Sequence, residues 1–222
     1  MGPSILEIDL AALAHNYHYL RSKISSETML LGVVKANGYG SEAISIAKKL
    51  DALGVDYLGV AYTHEGVFLR EQGIKTPILV LHPQPEEFKH IIEHCLEPSL
   101  YSNRTLQMFM EATEKEYQYP IHLNINTGLN RLGFPVHGLE AISQNLLNSP
   151  RVKVKGIMSH LAATDDLSEK AYTDSQIEKF KEAVTSIEEK IGKVQLKHLL
   201  NSSGILNFPE AAFNMVRSGI AL

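Results

Sequence analysis

Two rhythms of apolar and polar positions alternate along this chain. Short apolar runs of strand length are separated by longer stretches whose apolar residues recur every three or four positions, the spacing of an amphipathic helix. The first helical stretch carries Leu10, Leu13, Tyr17, Leu20 and Ile24 behind Asp9, a residue type that caps helices. Residues 30–34 follow as an apolar, partly β-branched run that ends at Lys35 and enters the glycine-punctuated turn Ala36-Asn37-Gly38-Tyr39-Gly40. Ser41 is placed to cap a helix through Ile44, Ala47 and Leu50 that stops at Gly54. The alternation continues with a strand at 57–62, a helix at 63–73, a strand at 77–82 and a helix from Pro85 to His94. A weaker strand at 97–102 precedes a helix capped by Asn103. Strands at 121–128 and 154–160 flank a helix at 139–147, and a long charged helix spans 168–191. Runs at 196–203 and 214–222 complete the set.

These are eight strands with helices between them and no linker, low-complexity segment or repeat. That pattern predicts a closed parallel (β/α)8 barrel, a TIM barrel, occupying the whole of 1–222. The chain begins with a helix and reaches its last residue on strand eight, so the initial helix is expected to fill the gap in the outer ring. An open doubly wound sheet is the alternative, but no G-x-G-x-x-G turn follows the first strand.

Composition narrows the function classes. Hydrophobic residues at 44% and charged residues at 21% are ordinary for a globular protein. A formal charge of −4 and a pI near 6.2 leave no basic footprint for nucleic acid. No apolar run approaches the roughly 18 residues of a membrane span, and the N-terminus lacks a signal-peptide pattern. Met1-Gly2-Pro3 is set outside the fold argument. Cys95 is the single cysteine, which excludes a disulfide framework within the chain and suits a reducing cytoplasm. It reads as a buried small hydrophobe. His90 and His94 have a helical i,i+4 spacing that can bind metal, but no third ligand stands out and no metal is assigned.

In a barrel of this kind the active site lies at the carboxyl ends of the strands. Lys35, Tyr39, Arg131, His160, Asn201, Ser202, Arg217, Gly219 and Ile220 all fall at or just beyond such ends. Each has a bland reading alone: a strand-end arginine usually finds an ion pair, and a histidine there is usually only hydrogen-bonded. Together they mean more. A lysine amine held against apolar walls suits Schiff-base chemistry. Backbone N–H groups of Ser202, Ser203, Gly219 and Ile220, with the Ser202 hydroxyl, offer a phosphate cradle without a basic cluster. The combination suits a phosphorylated aldehyde cofactor.

At these residues the chain resembles a known family. VVKANGYG is similar to the lysine motif of alanine racemases that use pyridoxal phosphate, and the likeness continues through NTGLNRLGF, the SH of strand six, NSSG and VRSGIAL. The resemblance implies that Lys35 forms the internal aldimine and serves as the catalytic base for the D-enantiomer. It implies phosphate contacts from Tyr39, Ser202, Gly219 and Ile220, with Asn201 in the same turn. Arg131 would bond the cofactor's phenolic oxygen, and His160 would lie against its ring and orient Arg217. Arg217 would face the pyridine nitrogen. A guanidinium does not give up its proton, so that nitrogen would stay unprotonated, which favours racemisation over transamination.

Three departures accompany the likeness. Asn124 stands where many members carry a carbamylated lysine that orients the arginine, so another group, such as an anion, would have to support Arg131. Asn126 replaces an aspartate, and YGS replaces the commoner YGHG. In the family a β domain follows strand eight and supplies a tyrosine base across a homodimer interface. The chain is therefore expected to be the barrel of a longer cytoplasmic bacterial enzyme making D-alanine for peptidoglycan, some versions being fused to a cell-wall ligase. By itself it is expected to bind pyridoxal phosphate and to racemise alanine poorly or not at all. A single-domain pyridoxal phosphate carrier is the alternative reading.

Overall fold

Each apolar run of strand character takes a place in one parallel sheet, and that sheet closes on itself. The computed structural model describes residues 4–114 and 118–222, and Met1-Gly2-Pro3 lies outside the described residues. The ring strands are β1 (Met29–Val33), β2 (Tyr57–Val60), β3 (Ile78–Val80), β4 (Glu97–Leu100), β5 (Tyr119–Asn126), β6 (Val152–Met158), β7 (Leu196–His198) and β8 (Met215–Ser218). Successive strands pair in parallel, β4 pairs with β5, and β1 closes the ring on β8, with Leu31 opposite both Tyr57 and Arg217. A two-residue strand, Phe134–Pro135, adds to the end of β5 outside the ring.

The helices of the outer layer are α1 (Leu10–Arg21), α2 (Ala43–Ala52), α3 (Thr63–Glu71), α4 (Phe88–Glu93), α5 (Asn103–Ala112), α6 (Leu139–Leu147), α7 (Lys170–Ile191) and the short α8 (Ser202–Asn207). Helix α1 packs on α2, the outer-ring position the alternation left for it. Its N-cap is Asp9, whose carboxylate accepts the Ala11 and Ala12 N–H groups at 2.8 and 3.0 Å.

Two caps differ from expectation. Glu42, not Ser41, caps α2, its carboxylate accepting the Ser45 N–H at 3.0 Å. Ser102, not Asn103, caps α5, because its hydroxyl and that of Thr105 accept each other's backbone N–H, both at 3.1 Å. Strand ends also retreat. The run at 196–203 is strand only to His198, since Asn201 turns the chain into α8.

Strand alternation separates two apolar regions. Leu30, with Leu58 and Ile121, faces the helices, whereas Leu31, Tyr57, Leu79, Met158, Leu196 and Met215 pack together as a second cluster. Fully burying such a side chain contributes about 1.5–3 kcal/mol. Polar groups share the ring's interior: Glu97, Ser99, His122, His198 and Arg217 are all buried. Cys95 is a correction, since it is exposed rather than buried, lying in the left-handed turn after α4 with φ of 50°.

Candidate active site

Among the described residues, the longest run of left-handed backbone follows β1. Ala36, Asn37, Gly38 and Tyr39 all have φ between 52° and 64°. Gly38 N–H donates to Val34 O at 2.9 Å and Gly40 N–H to Ala36 O at 3.0 Å, making one turn of left-handed helix. For residues with a side chain this region costs about 1–2 kcal/mol each, so the turn needs outside support. The Asn37 side chain accepts the Ala43 N–H at 3.0 Å, and the Glu65 carboxylate accepts the Ala36 N–H at 2.6 Å. Gly38 is buried with its α-carbon close against Ala43, where a side chain would crowd the backbone.

This turn sets Lys35 and Tyr39 at the wall of a cavity of about 560 Å³ at the carboxyl ends of the strands. The Lys35 amine lies 5.9 Å from the Tyr39 ring centroid, and among the described residues no carboxylate pairs with it. Arg131, His160, Asn201, Ser202, Arg217, Gly219 and Ile220 line the same cavity, so the structure brings every candidate residue together. Tyr62 and His82, at the ends of β2 and β3, line it as well and were not singled out by sequence.

Opposite Lys35 the wall is made of small donors. Ser202 Oγ accepts the Gly219 N–H at 3.2 Å and lies 3.1 Å from Ser218 Oγ. A Cβ on Gly219 would fall inside the Tyr39 hydroxyl, so glycine is what lets that hydroxyl reach the cradle. Burial raises the Tyr39 phenol above its ordinary value, which keeps it a donor. The Asn201 side chain points elsewhere: its amide oxygen accepts the Gly204 N–H at 2.9 Å and the Thr164 hydroxyl at 2.7 Å, which fixes the start of α8.

Arg217 enters from below. Its guanidinium donates to His198 Nδ1 and His198 O, both at 2.9 Å, and to Ser159 O at 2.7 Å, and it lies 3.3 Å from His160 Nδ1. Burial, then the charge of Arg131, brings it down to about 10, still protonated at neutral pH. Burial, then the charges of Arg217, Arg131 and Lys35, holds His160 down at about 3, so it is neutral.

Arg131 is exposed on the loop after β5. Asn126 organises that loop: its side-chain oxygen accepts the Gly128 and Asn130 N–H groups at 3.1 Å each, and its amide donates to Asn130 at 3.0 Å. An aspartate could not make the last bond. Asn124 lines the cavity wall near Arg131.

Away from the cavity, His90 and His94 do have a third potential ligand that the sequence reading missed. Glu93 lies 3.2 Å from His90 Nδ1, with both side chains about 60% exposed. The sequence reading also missed Glu97, His122 and His198, a buried acid and two imidazoles. The available signal was a charged or histidine residue at an inward position of an otherwise apolar strand.

The sequence profile of the family "Alanine racemase, N-terminal domain" matches residues 8–222. The alanine racemase of Syntrophobacter fumaroxidans is 35% identical over 224 residues, which cover 100% of this chain and 59% of that protein. An alanine racemase structure from Clostridium difficile superposes with a TM-score of 0.91 at 32% identity, over 96% of this chain and 60% of the other. One from Bacillus anthracis with bound L-Ala-P gives 0.89 at 28% identity, over 99% and 58%.

Proposed function

Because the chain belongs to the alanine racemase N-terminal domain family, we propose that it is the barrel that holds pyridoxal phosphate in an enzyme interconverting L- and D-alanine. The observation that carries this reading is the Lys35 amine, which pairs with no carboxylate among the described residues, in one cavity with the Tyr39–Ser202–Gly219 cradle.

The donor set suits the group. The Tyr39 and Ser202 hydroxyls and the Ile220 N–H offer hydrogen bonds to a phosphate, the Gly219 N–H orients the Ser202 oxygen, and the missing Cβ of Gly219 makes room for the Tyr39 hydroxyl. When bound, pyridoxal phosphate supplies an electron-withdrawing ring that acidifies the Cα–H of an amino acid carried on it. Lys35 moves the proton at that Cα from one face. Arg217, a donor at every nitrogen, gives a hydrogen bond to the ring nitrogen without protonating it. His160 is neutral and adds no charge to the wall. Arg131 takes the phenolic oxygen from the loop that Asn126 shapes.

The chain spans about 59% of the length of the curated relative from Syntrophobacter fumaroxidans. The family resemblance assigns a base for the opposite face to the remaining part of such a protein, in a β domain that would reach across a homodimer. Tyr39, Tyr62 and Ile220, exposed by 42%, 43% and 81% around the cavity mouth, support a surface that a further domain covers. In this reading the D-alanine serves peptidoglycan synthesis in a bacterial cytoplasm. No helix among the described residues is long and apolar enough to cross a membrane.

Incubation with pyridoxal phosphate, borohydride reduction and peptide mass spectrometry tests the reading. A single pyridoxyl adduct at Lys35, lost in Lys35→Ala, is expected. Label scattered over surface lysines with Lys35 unmodified would overturn it.

A further inference from the structure

We infer that Glu97, at the end of the barrel away from the cavity, is a positioning residue for Arg217 and acts on it through His122 and His198. The four side chains form one continuous line through the ring's interior. Arg217 Nη1 is 2.9 Å from His198 Nδ1, His198 Nε2 is 3.0 Å from His122 Nδ1, and His122 Nε2 is 2.9 Å from Glu97 Oε2. His122 and His198 are both 0% exposed. A Cβ on Gly156 would occupy the His122 ring, so β6 carries a glycine where that imidazole crosses the interior.

Proton counting fixes the direction of the line. A guanidinium only donates, so His198 Nδ1 must be bare and its proton must sit on Nε2. That N–H points at His122 Nδ1, which must then also be bare. His122 therefore cannot be doubly protonated, and its proton sits on Nε2, aimed at Glu97. Both imidazoles are neutral with the same tautomer, and every bond runs Arg217 to His198 to His122 to Glu97. Burial, then the Arg217 charge, keeps His198 well below its ordinary value, in agreement with the count.

The far end anchors the line as an acceptor. Lys155 Nζ donates to Glu97 Oε1 at 2.6 Å, and the Tyr57 hydroxyl lies 3.3 Å from Oε2. Burial pushes the Glu97 carboxyl up, but the hydrogen bond from His122 and the bond and charge of Lys155 outweigh it and leave it below its ordinary value. A carboxylate at this end admits one tautomer order only. Without an acceptor there, the His122 Nε2–H is a buried donor with no partner, and its one escape is a proton on Nδ1, where it meets the His198 N–H. Relieving that clash would set an N–H of His198 against the guanidinium. Such a buried line is worth more intact than its separate bonds suggest.

The inference rests on the proposed function only for what Arg217 contacts, and its test is made on the chain without cofactor. Imidazole 15N spectra of the unmodified protein are expected to show His122 and His198 neutral, each with its proton on Nε2. Glu97→Gln keeps an acceptor oxygen and should preserve that order, with Lys155 turning to solvent. Glu97→Leu should scramble both tautomers and weaken pyridoxal phosphate binding about tenfold, a change of about 1.4 kcal/mol. A proton on Nδ1 of either ring in the unmodified protein, or unchanged tautomers and affinity in Glu97→Leu, would overturn the inference. If Glu97→Leu does not fold, the spectra of the unmodified protein and Glu97→Gln decide. Ordered tautomers without trapping at Lys35 would leave the relay standing and remove the cofactor reading instead.

Discussion

One oxygen of Glu65 accepts the Ala36 N–H at 2.6 Å, which ties the left-handed turn beside Lys35 to the start of α3. The other oxygen accepts the Ala61 and Tyr62 N–H groups at 2.6 and 3.0 Å, so a single carboxylate joins the ends of β1 and β2. Each oxygen faces a donor, so an amide cannot replace the carboxylate without setting N–H against N–H. Glu65→Gln should destabilise the protein by about 1–3 kcal/mol in urea unfolding. It should also speed hydrogen exchange at the Gly38 and Gly40 amides, and unchanged exchange there would show that the turn holds itself.

Gly219 and Tyr39 form a second dependent pair. A methyl group at Gly219 would displace the Tyr39 hydroxyl from the cradle. Gly219→Ala should weaken pyridoxal phosphate binding by about tenfold or more, read by fluorescence titration. Thermal unfolding of the protein without cofactor should change little, because Gly219 lies at the cavity rim.

The buried neutral histidines give stability a defined pH dependence. His160 is held at about 3 in the folded chain, against an ordinary value of 6.5 that applies once it unfolds. The unfolded chain therefore binds the extra proton first. The stabilisation is fully present above pH 6.5 and is lost as pH falls towards 3, at up to about 1.4 kcal/mol per pH unit for this group. His198, also pushed down by burial, adds in the same direction. His160→Gln should reduce the slope of unfolding free energy against pH between 6 and 4 by about one proton's worth. An unchanged slope would mean that His160 titrates normally.

Asn126 makes a bond that its acidic counterpart cannot. Asn126→Asp removes the donor to Asn130, while the two backbone N–H bonds to its oxygen remain possible. The expected cost is about 1 kcal/mol, with faster trypsin cleavage at the exposed Arg131. Equal cleavage rates would show that the loop is fixed by other contacts.

Much of this molecule was legible in one dimension. Short apolar runs alternating with stretches of period 3.6 placed the ring strands, the weaker one at 97–102 by its position in that rhythm, because a strand buried on both faces must be apolar and its covering helix must be amphipathic. The caps were less legible, as at Ser102 and Glu42, because neighbouring polar residues compete and only the folded turn shows which oxygen meets an N–H. The cavity residues were found because strand ends in a closed barrel converge on one face.

What the sequence by itself determined was therefore the alternation, the strands and helices of the ring, and most of the side chains at its mouth, Tyr62 and His82 excepted. Local patterning is enough for these, since each depends on burial along a single element. Only the tertiary structure decided that Ala36 to Tyr39 would coil left-handed, because that strain is tolerable only with Glu65 supplied by another βα unit. Only the tertiary structure joined Glu97, His122, His198 and Arg217. They come from separate strands, and it is ring closure that brings hydrogen-bonding groups so distant in sequence within 3 Å of one another.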